Sequence, residues 1–332
     1  MTRWDPRREA FERLGGRYEV RVLEPSPPAV NEGPWYADDP AAVGEVPPGR
    51  QVVTPTTAGD LTWDQLAQGD PDLAAWCAER WLGAWRDLRP LPPGLAMTRQ
   101  SFHMLAEHVL APARFAANGK IGLRWTRGGF GTPFFGDDRQ VRVDGTELVV
   151  VEGDSERRAP LTTLGAAAEF VGVTLGEGTG VYEPTTSARP ETVLQVDPEA
   201  AAFISDAFGF AASVLEQLRA DARPDEQVSR VQLWPEHFDM AVELGNEAAG
   251  ARATYGMSLG DAEHGVPYLY VSPWQPQQHD PFWADPAFGG ASLRYGAIYS
   301  ARKARDVALR FFREGRQRLA RAISWQAIQA LH

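Results

Sequence analysis

Residues 197–220, "DPEAAAFISDAFGFAASVLEQLRA", decide how the rest of the chain is read. Asp197 supplies an N-cap oxygen, and Pro198 stands at the first helical position, where no N–H is needed. Glu199 puts negative charge in the first turn. Ala201, Phe203, Ile204, Ala207, Phe208, Ala211, Leu215 and Leu218 then fall on nearly every side of the helix. A surface helix shows one apolar stripe; this pattern predicts a buried central helix, stopped before Pro224.

Outward from that helix the pattern becomes strands. Downstream, residues 229–245, 252–258, 267–273 and 291–299 read as strands, and 301–322 as a closing helix. That helix has Val307, Ala308, Phe311, Phe312 and Leu319 on one face and Arg302, Arg305, Arg310, Arg313 and Arg316 largely off it. Upstream, a helix is expected over 99–111, ended or kinked by Pro112. Strands are expected at 120–126, 139–145 and 147–153, the last two joined through Asp144-Gly145 as a hairpin. Residues 161–172 read as a short helix feeding strand-like Val173-Thr174-Leu175.

The expected fold class is therefore α+β: two helix–antiparallel-sheet–helix units behind a Pro-rich N-terminal arm. The expected divisions are 1–97 (arm and Trp-rich helix), 98–196 (first unit) and 197–332 (second unit). Eight prolines between residues 24 and 60 exclude helix and central strand there. Asp70 and Pro71 open a helix over 71–86. The similar order of elements in 98–175 and 197–322 raises a structural duplication, with a pocket where two sheets would meet.

Composition narrows the function classes. A formal net charge of −11 argues against nucleic-acid binding, which draws on a basic surface. The single cysteine, Cys77, excludes an intramolecular disulfide and a Cys-based zinc site, and its place among tryptophans reads as a buried thiol. The N-terminus lacks an apolar signal core, and no apolar run approaches the ~20 residues that span a bilayer. A cytoplasmic protein without membrane association is expected.

Six histidines allow a residue-by-residue search. His103, Glu107 and His108 nearly match a zinc-peptidase signature, but five residues of regular helix set the two imidazoles roughly 140° apart. His103 and Glu107, at i and i+4, are spaced to pair instead. The segment 233–245, "LWPEHFDMAVELG", is richer. Strand alternation turns Phe238, Met240, Val242 and Leu244 to one face and His237 and Asp239 to the other, about 6.5–7 Å apart. Glu236 falls on the apolar face or in the preceding turn.

A return loop carrying Asp261, Glu263 and His264 could approach one end of that strand. His279, with Asp280, Trp274, Phe282 and Trp283, offers an aromatic wall. Such a set suits a His general base oriented by Asp239, or a divalent metal. The glycine-rich "WTRGGFGTPFFG" (125–136) lacks both phosphate-loop spacings and reads as a tight bend or bulge.

The blocks "ANGKIGLRWTRGGFGTPFFG" and "LWPEHFDMAVELG…ATYGMSLGDAEHGVPYLYVSPW" resemble a family of actinobacterial proteins of unknown function. The resemblance implies a bacterial, GC-rich, cytoplasmic origin and carries no activity, cofactor or site residue. The function expected from the residues is small-molecule or metal-ion binding at a pocket of His237, Asp239, Asp261 and His264. The alternative is a non-catalytic scaffold or protein-interaction module. A concave cluster of these side chains would favour the first reading, and splayed, exposed ones the second.

Overall fold

The computed structural model describes residues 88–329, apart from 127, 134, 136–138, 153, 154, 224, 278 and 279. The arm, the 71–86 helix, Cys77 and His279 lie outside the described residues. What is described is α+β, with two antiparallel sheets around helices.

The chain enters through α1 (Leu95–Leu105), a π-helical turn (Ala106–Leu110) and α2 (Ala111–Asn118). The helix thus runs on through Pro112 instead of ending there. Proline lacks the N–H of a regular turn, and its ring crowds the carbonyl four residues back. The wider turn over 106–110 relieves both problems just ahead of it.

The first sheet is a meander of β1 (Arg124–Thr126), β2 (Gly129–Gly131), β3 (Arg139–Asp144), β4 (Glu147–Glu152) and β5 (Ser155–Pro160). Asp144 pairs with Glu147 across the two-residue turn at Gly145, which has φ 62°, as the Asp-Gly signal predicts. The glycine-rich segment forms the tight β1–β2 return. A Cβ on Gly129 would stand 2.4 Å from the Val143 carbonyl oxygen, so glycine allows β2 to press against β3. The strand expected over 120–126 is only three residues long, and β5, a polar edge strand outside the expected set, carries no apolar alternation to announce it.

Next comes α3 (Leu164–Val171), capped by Thr163 Oγ1, which accepts the Ala166 N–H. Residues 173–175 form no strand; the chain stays irregular to 196. The central helix α4 (Pro198–Ala220) begins as its sequence demands, with Asp197 Oδ1 accepting the Ala200 N–H at 2.8 Å. Phe203, Ile204, Phe208, Val214, Leu215 and Leu218 along it are all buried.

The second sheet departs most from expectation. Residues 229–245 are not one strand but a hairpin, β7 (Gln232–Trp234) and β8 (Asp239–Gly245), with β6 (Gln227–Val228) also paired to β8. β9 (Ala253–Ser258), β10 (Tyr268–Pro273) and β11 (Ala291–Arg294) complete it. Residues 295–299 turn into the short helix α5 (Tyr295–Tyr299), and α6 (Ala304–Gln329) closes the described chain.

The two sheets touch where Leu123 and Leu233 exchange backbone hydrogen bonds, each 2.8 Å. Phe208 of α4 meets Phe130 of β2 at 6.5 Å and Phe238 of the hairpin at 5.3 Å, so one apolar core runs through both units. The inner face of the second sheet (Met240, Val242, Tyr255, Met257, Leu269 and Val271) is buried in that core. Tyr255 meets Phe312 of α6 at 6.0 Å. The opposite face of this sheet carries the polar residues.

Candidate functional site

Alternation along three neighbouring strands builds the site. The register sets Asp239 beside Ser258 and Ser258 beside Tyr268. It then sets Ala241 beside Gly256 beside Tyr270, and Glu243 beside Thr254 beside Ser272. These nine residues share the face turned away from the core. Ala241 and Gly256 carry almost no side chain, so they form a low floor. Tyr270 lies across it: a Cβ on Gly256 would stand 2.5 Å from the phenol oxygen, and only glycine lets the ring pass. The phenol donates to Asp239 Oδ2, two strands away.

A cavity of about 550 Å³ opens over this face. Its walls include Trp234, Glu236, His237, Asp261, Glu263 and Phe288, besides the strand residues Asp239, Glu243, Tyr268 and Tyr270. The cavity therefore lies on the outer face of the second sheet and not where the two sheets meet.

The hairpin loop places two of these residues. Phe238 donates its N–H to the Trp234 carbonyl at 2.8 Å and adopts φ 50°, a left-handed conformation uncommon for a bulky side chain. Its ring is held by Phe130 at 5.0 Å, Phe208 at 5.3 Å and a stacked His103 at 5.7 Å. Anchored below, the loop sends Glu236 and His237 to the cavity. The strand reading of 236–238 is thereby corrected: His237 sits exposed in the loop, and only Asp239 begins the strand. Glu236 joins the same cavity instead of facing elsewhere.

Asp239 is the most buried acid here, with a 5 % exposed side chain. Its Oδ2 takes the Tyr270 hydroxyl, whereas Oδ1 is buried with no hydrogen-bond partner among the described residues. The expected bond from Asp239 to His237 is therefore not made. Glu236 likewise keeps Oε2 buried and unpartnered. Burial pushes both carboxyls above the ordinary range, and the Asp239 charge adds to the rise at Glu236. Burial also lifts the Tyr270 phenol far up, reinforced by the Asp239 charge beside it.

The 259–267 loop does come to meet the strand. Asp261 and Glu263 line the cavity. Asp261 Oδ1 accepts the N–H groups of Glu263 and His264 at 2.9 and 2.6 Å, and Oδ2 accepts the Tyr268 hydroxyl at 2.6 Å. Burial opposes its charge, but these bonds and the nearby His264 hold its carboxyl below the ordinary range. His264 itself turns aside to Asp285 Oδ2, 3.0 Å away, with its ring 4.3 Å from that of Tyr268. It fixes the wall rather than lining it.

The expected aromatic wall of Trp274, Phe282 and Trp283 is not the one formed. Trp274 covers Arg252 at 4.7 Å, and Arg252 in turn holds Glu243 at 3.1 Å. Phe282 and Trp283 pack on one another, and Phe282 packs on Phe311 of α6. Trp234, Tyr268, Tyr270 and Phe288 form the wall instead. Tyr268 and Tyr270 were legible from the alternation in "YLYVSP"; Phe288, in an irregular loop, carries no such signal.

The 103–108 segment is also clarified. His103 Nε2, one helical turn back, and the adjacent His108 Nε2 both approach the one Glu107 carboxylate, at 3.4 and 3.9 Å. That carboxylate also accepts the backbone N–H and hydroxyl of Thr185 and Thr186. Among the described residues, no three His, Cys, Asp or Glu side chains are grouped to hold a metal ion.

No protein family, curated protein or solved structure matches the chain. The reading of the cavity thus stands on its own geometry. Among the described residues, no helix is long and apolar enough to cross a membrane.

Proposed function

We propose that the protein binds a small organic molecule in the cavity over the outer face of the second sheet. The observation that carries this reading is Asp239: a buried carboxyl at the cavity wall with one oxygen left without a donor among the described residues. Folding around such a group costs free energy, roughly 1–3 kcal/mol by mutational measures. A bound molecule that donates to it recovers that cost.

Three further features support the reading. The cavity's volume of about 550 Å³ falls in the ordinary range of ligand sites, ~300–1,000 Å³. Aromatic rings flank a few convergent polar groups, as in most such sites. The left-handed Phe238 holds strain at the loop that presents Glu236 and His237. The reading requires no metal ion, because no described group of ligands is arranged for one.

The test is a thermal-shift panel of sugars, nucleosides, amino acids, amines and carboxylic acids, run on the wild type and on Ser272→Trp. Ser272 lines the cavity, and an indole there fills it. At least one class is expected to raise the wild-type Tm in a saturable way and to leave the variant unmoved. A panel with no saturable hit, or with shifts equal in both proteins, defeats the proposal.

A further inference from the structure

We propose that the cavity selects an organic cation: an aralkyl or alkyl ammonium compound whose nitrogen lies between Asp239 Oδ1 and Glu236 Oε2. This rests on the cavity being a ligand site, and it names what that site takes. Among the described residues, five carboxylates line the cavity, those of Glu236, Asp239, Glu243, Asp261 and Glu263, and neither lysine nor arginine does.

The acids differ in how they are satisfied. Glu243 is held by Arg252, and Asp261 by Tyr268 and two backbone N–H groups. Asp239 and Glu236 are the two with a buried oxygen that no donor among the described residues reaches. Asp239 supplies an observation independent of the acid count, because it lines the cavity, is nearly fully buried, and keeps one oxygen without a hydrogen-bond donor among the described residues. A neutral hydroxyl could donate to either oxygen but would leave two like charges together. An ammonium donates to both and cancels the repulsion, and in a weakly screened setting that difference is large.

The walls fit the same occupant. Trp234, Tyr268, Tyr270 and Phe288 present ring faces and edges for an apolar stem or for cation–π contact. Tyr268 and Phe288 lie nearly parallel, 6.5 Å apart at 27°, and make a flat flank for an aromatic ring. His237 is exposed at the loop. The chain's net charge of −11 adds long-range attraction for cations.

The experiment uses the full chain and a shape-matched set of probes: phenethylammonium, 2-phenylethanol, phenylacetate and methyl glucoside. Each is titrated by calorimetry into the wild type, Asp239→Asn and Ser272→Trp. The expected result is one-to-one binding of phenethylammonium to the wild type, with 2-phenylethanol and phenylacetate at least ten-fold weaker. Asp239→Asn, which keeps the shape and an acceptor for Tyr270, is expected to weaken the ammonium at least ten-fold. Ser272→Trp is expected to abolish binding.

Binding of the alcohol, the carboxylate or the glucoside as tightly as the ammonium overturns the cation assignment while leaving the cavity a ligand site. Binding of none of them overturns the cation assignment, and the thermal-shift panel then decides separately whether the cavity is a ligand site. Equal ammonium binding in the wild type and Asp239→Asn overturns the placement between the two acids, and the wild-type comparison among probes remains decisive should the variant fold poorly.

Discussion

Asp239 concentrates what is unusual at the scale of single residues. Its carboxyl is pushed up by burial, so the folded state disfavours its charge. The sign follows from linkage. Below the unfolded pKa both states hold the proton and no penalty exists. As pH rises through the raised folded value the folded state must ionise against burial, and stability falls. Asp239→Asn removes that penalty and keeps an oxygen for the Tyr270 hydroxyl. Urea unfolding should show the variant more stable than the wild type near pH 7 by about 1 kcal/mol, the low end of polar desolvation costs. The advantage should vanish by about pH 3, below the usual aspartate range. Equal stability at both pH values would mean that Asp239 is not strained. A gain in stability together with a loss of binding is what a residue kept for function shows.

The same residues mark the limit of what a sequence says. Period-two alternation correctly separates Asp239 from Met240, Val242 and Leu244, because that rule depends only on the pleat. It misplaces 236–238, because a four-residue hairpin loop interrupts the alternation. Phe238 has no glycine or asparagine character to announce its left-handed backbone. Three aromatic neighbours, distant in sequence, hold it there.

Among the elements, the α1–α2 segment shows how a local defect becomes a structural clamp. Pro112 calls for a wider turn, and within that turn Glu107 lies near His103, four residues back, and His108 beside it. Thr185 and Thr186, from an irregular stretch 78 and 79 residues away, close the cage. Burial alone would raise the Glu107 carboxyl. The nearby His103 imidazole and the bonds from Thr186 and Thr185 more than reverse this and hold it at about 2. A depressed acid gives stability that is full above the unfolded pKa and is lost as pH falls toward the folded one. From 4.5 to about 2 the loss approaches 3 kcal/mol, at ~1.36 kcal/mol per unit. Glu107→Gln should therefore be less stable than the wild type at pH 7 by up to this amount, with the gap closing between pH 4.5 and 2.5. Chemical denaturation across that range reads it directly, and a gap that does not vary with pH removes the clamp. Elements with a cap, an N1 proline or a Gly turn were readable in advance: α4, and the β3–β4 hairpin. Those fixed by pairing alone were not. β5 has no apolar alternation to offer, and residues 295–299 turn helical after an edge strand that their sequence would equally continue.

For the whole molecule, the decisive object is α4. Its apolar residues on every side signal that it cannot lie on a surface, and the structure gives each side a partner. Phe208 touches Phe130 of the first sheet and Phe238 of the hairpin, and the hairpin in turn presents Glu236, His237 and Asp239 to the cavity. One side chain therefore couples both sheets and the site. Truncating it by Phe208→Ala should cost about 3–5 kcal/mol, as for other fully buried phenylalanines. The more telling readout is how that cost is distributed. If the core is one cooperative unit, native-state hydrogen exchange should show the amides of Val150 in β4 and Val242 in β8 losing protection by equal amounts. Two separately folding units would instead lose protection unequally, and the β4 amide would stay protected while β8 opened. The same variant should weaken ligand binding at the cavity, although Phe208 does not line it, because the loop it supports is the one held in a strained conformation. Equal exchange and weakened binding together would tie the site's geometry to the core beneath it; unequal exchange would confine the site's support to the second sheet and its own helices.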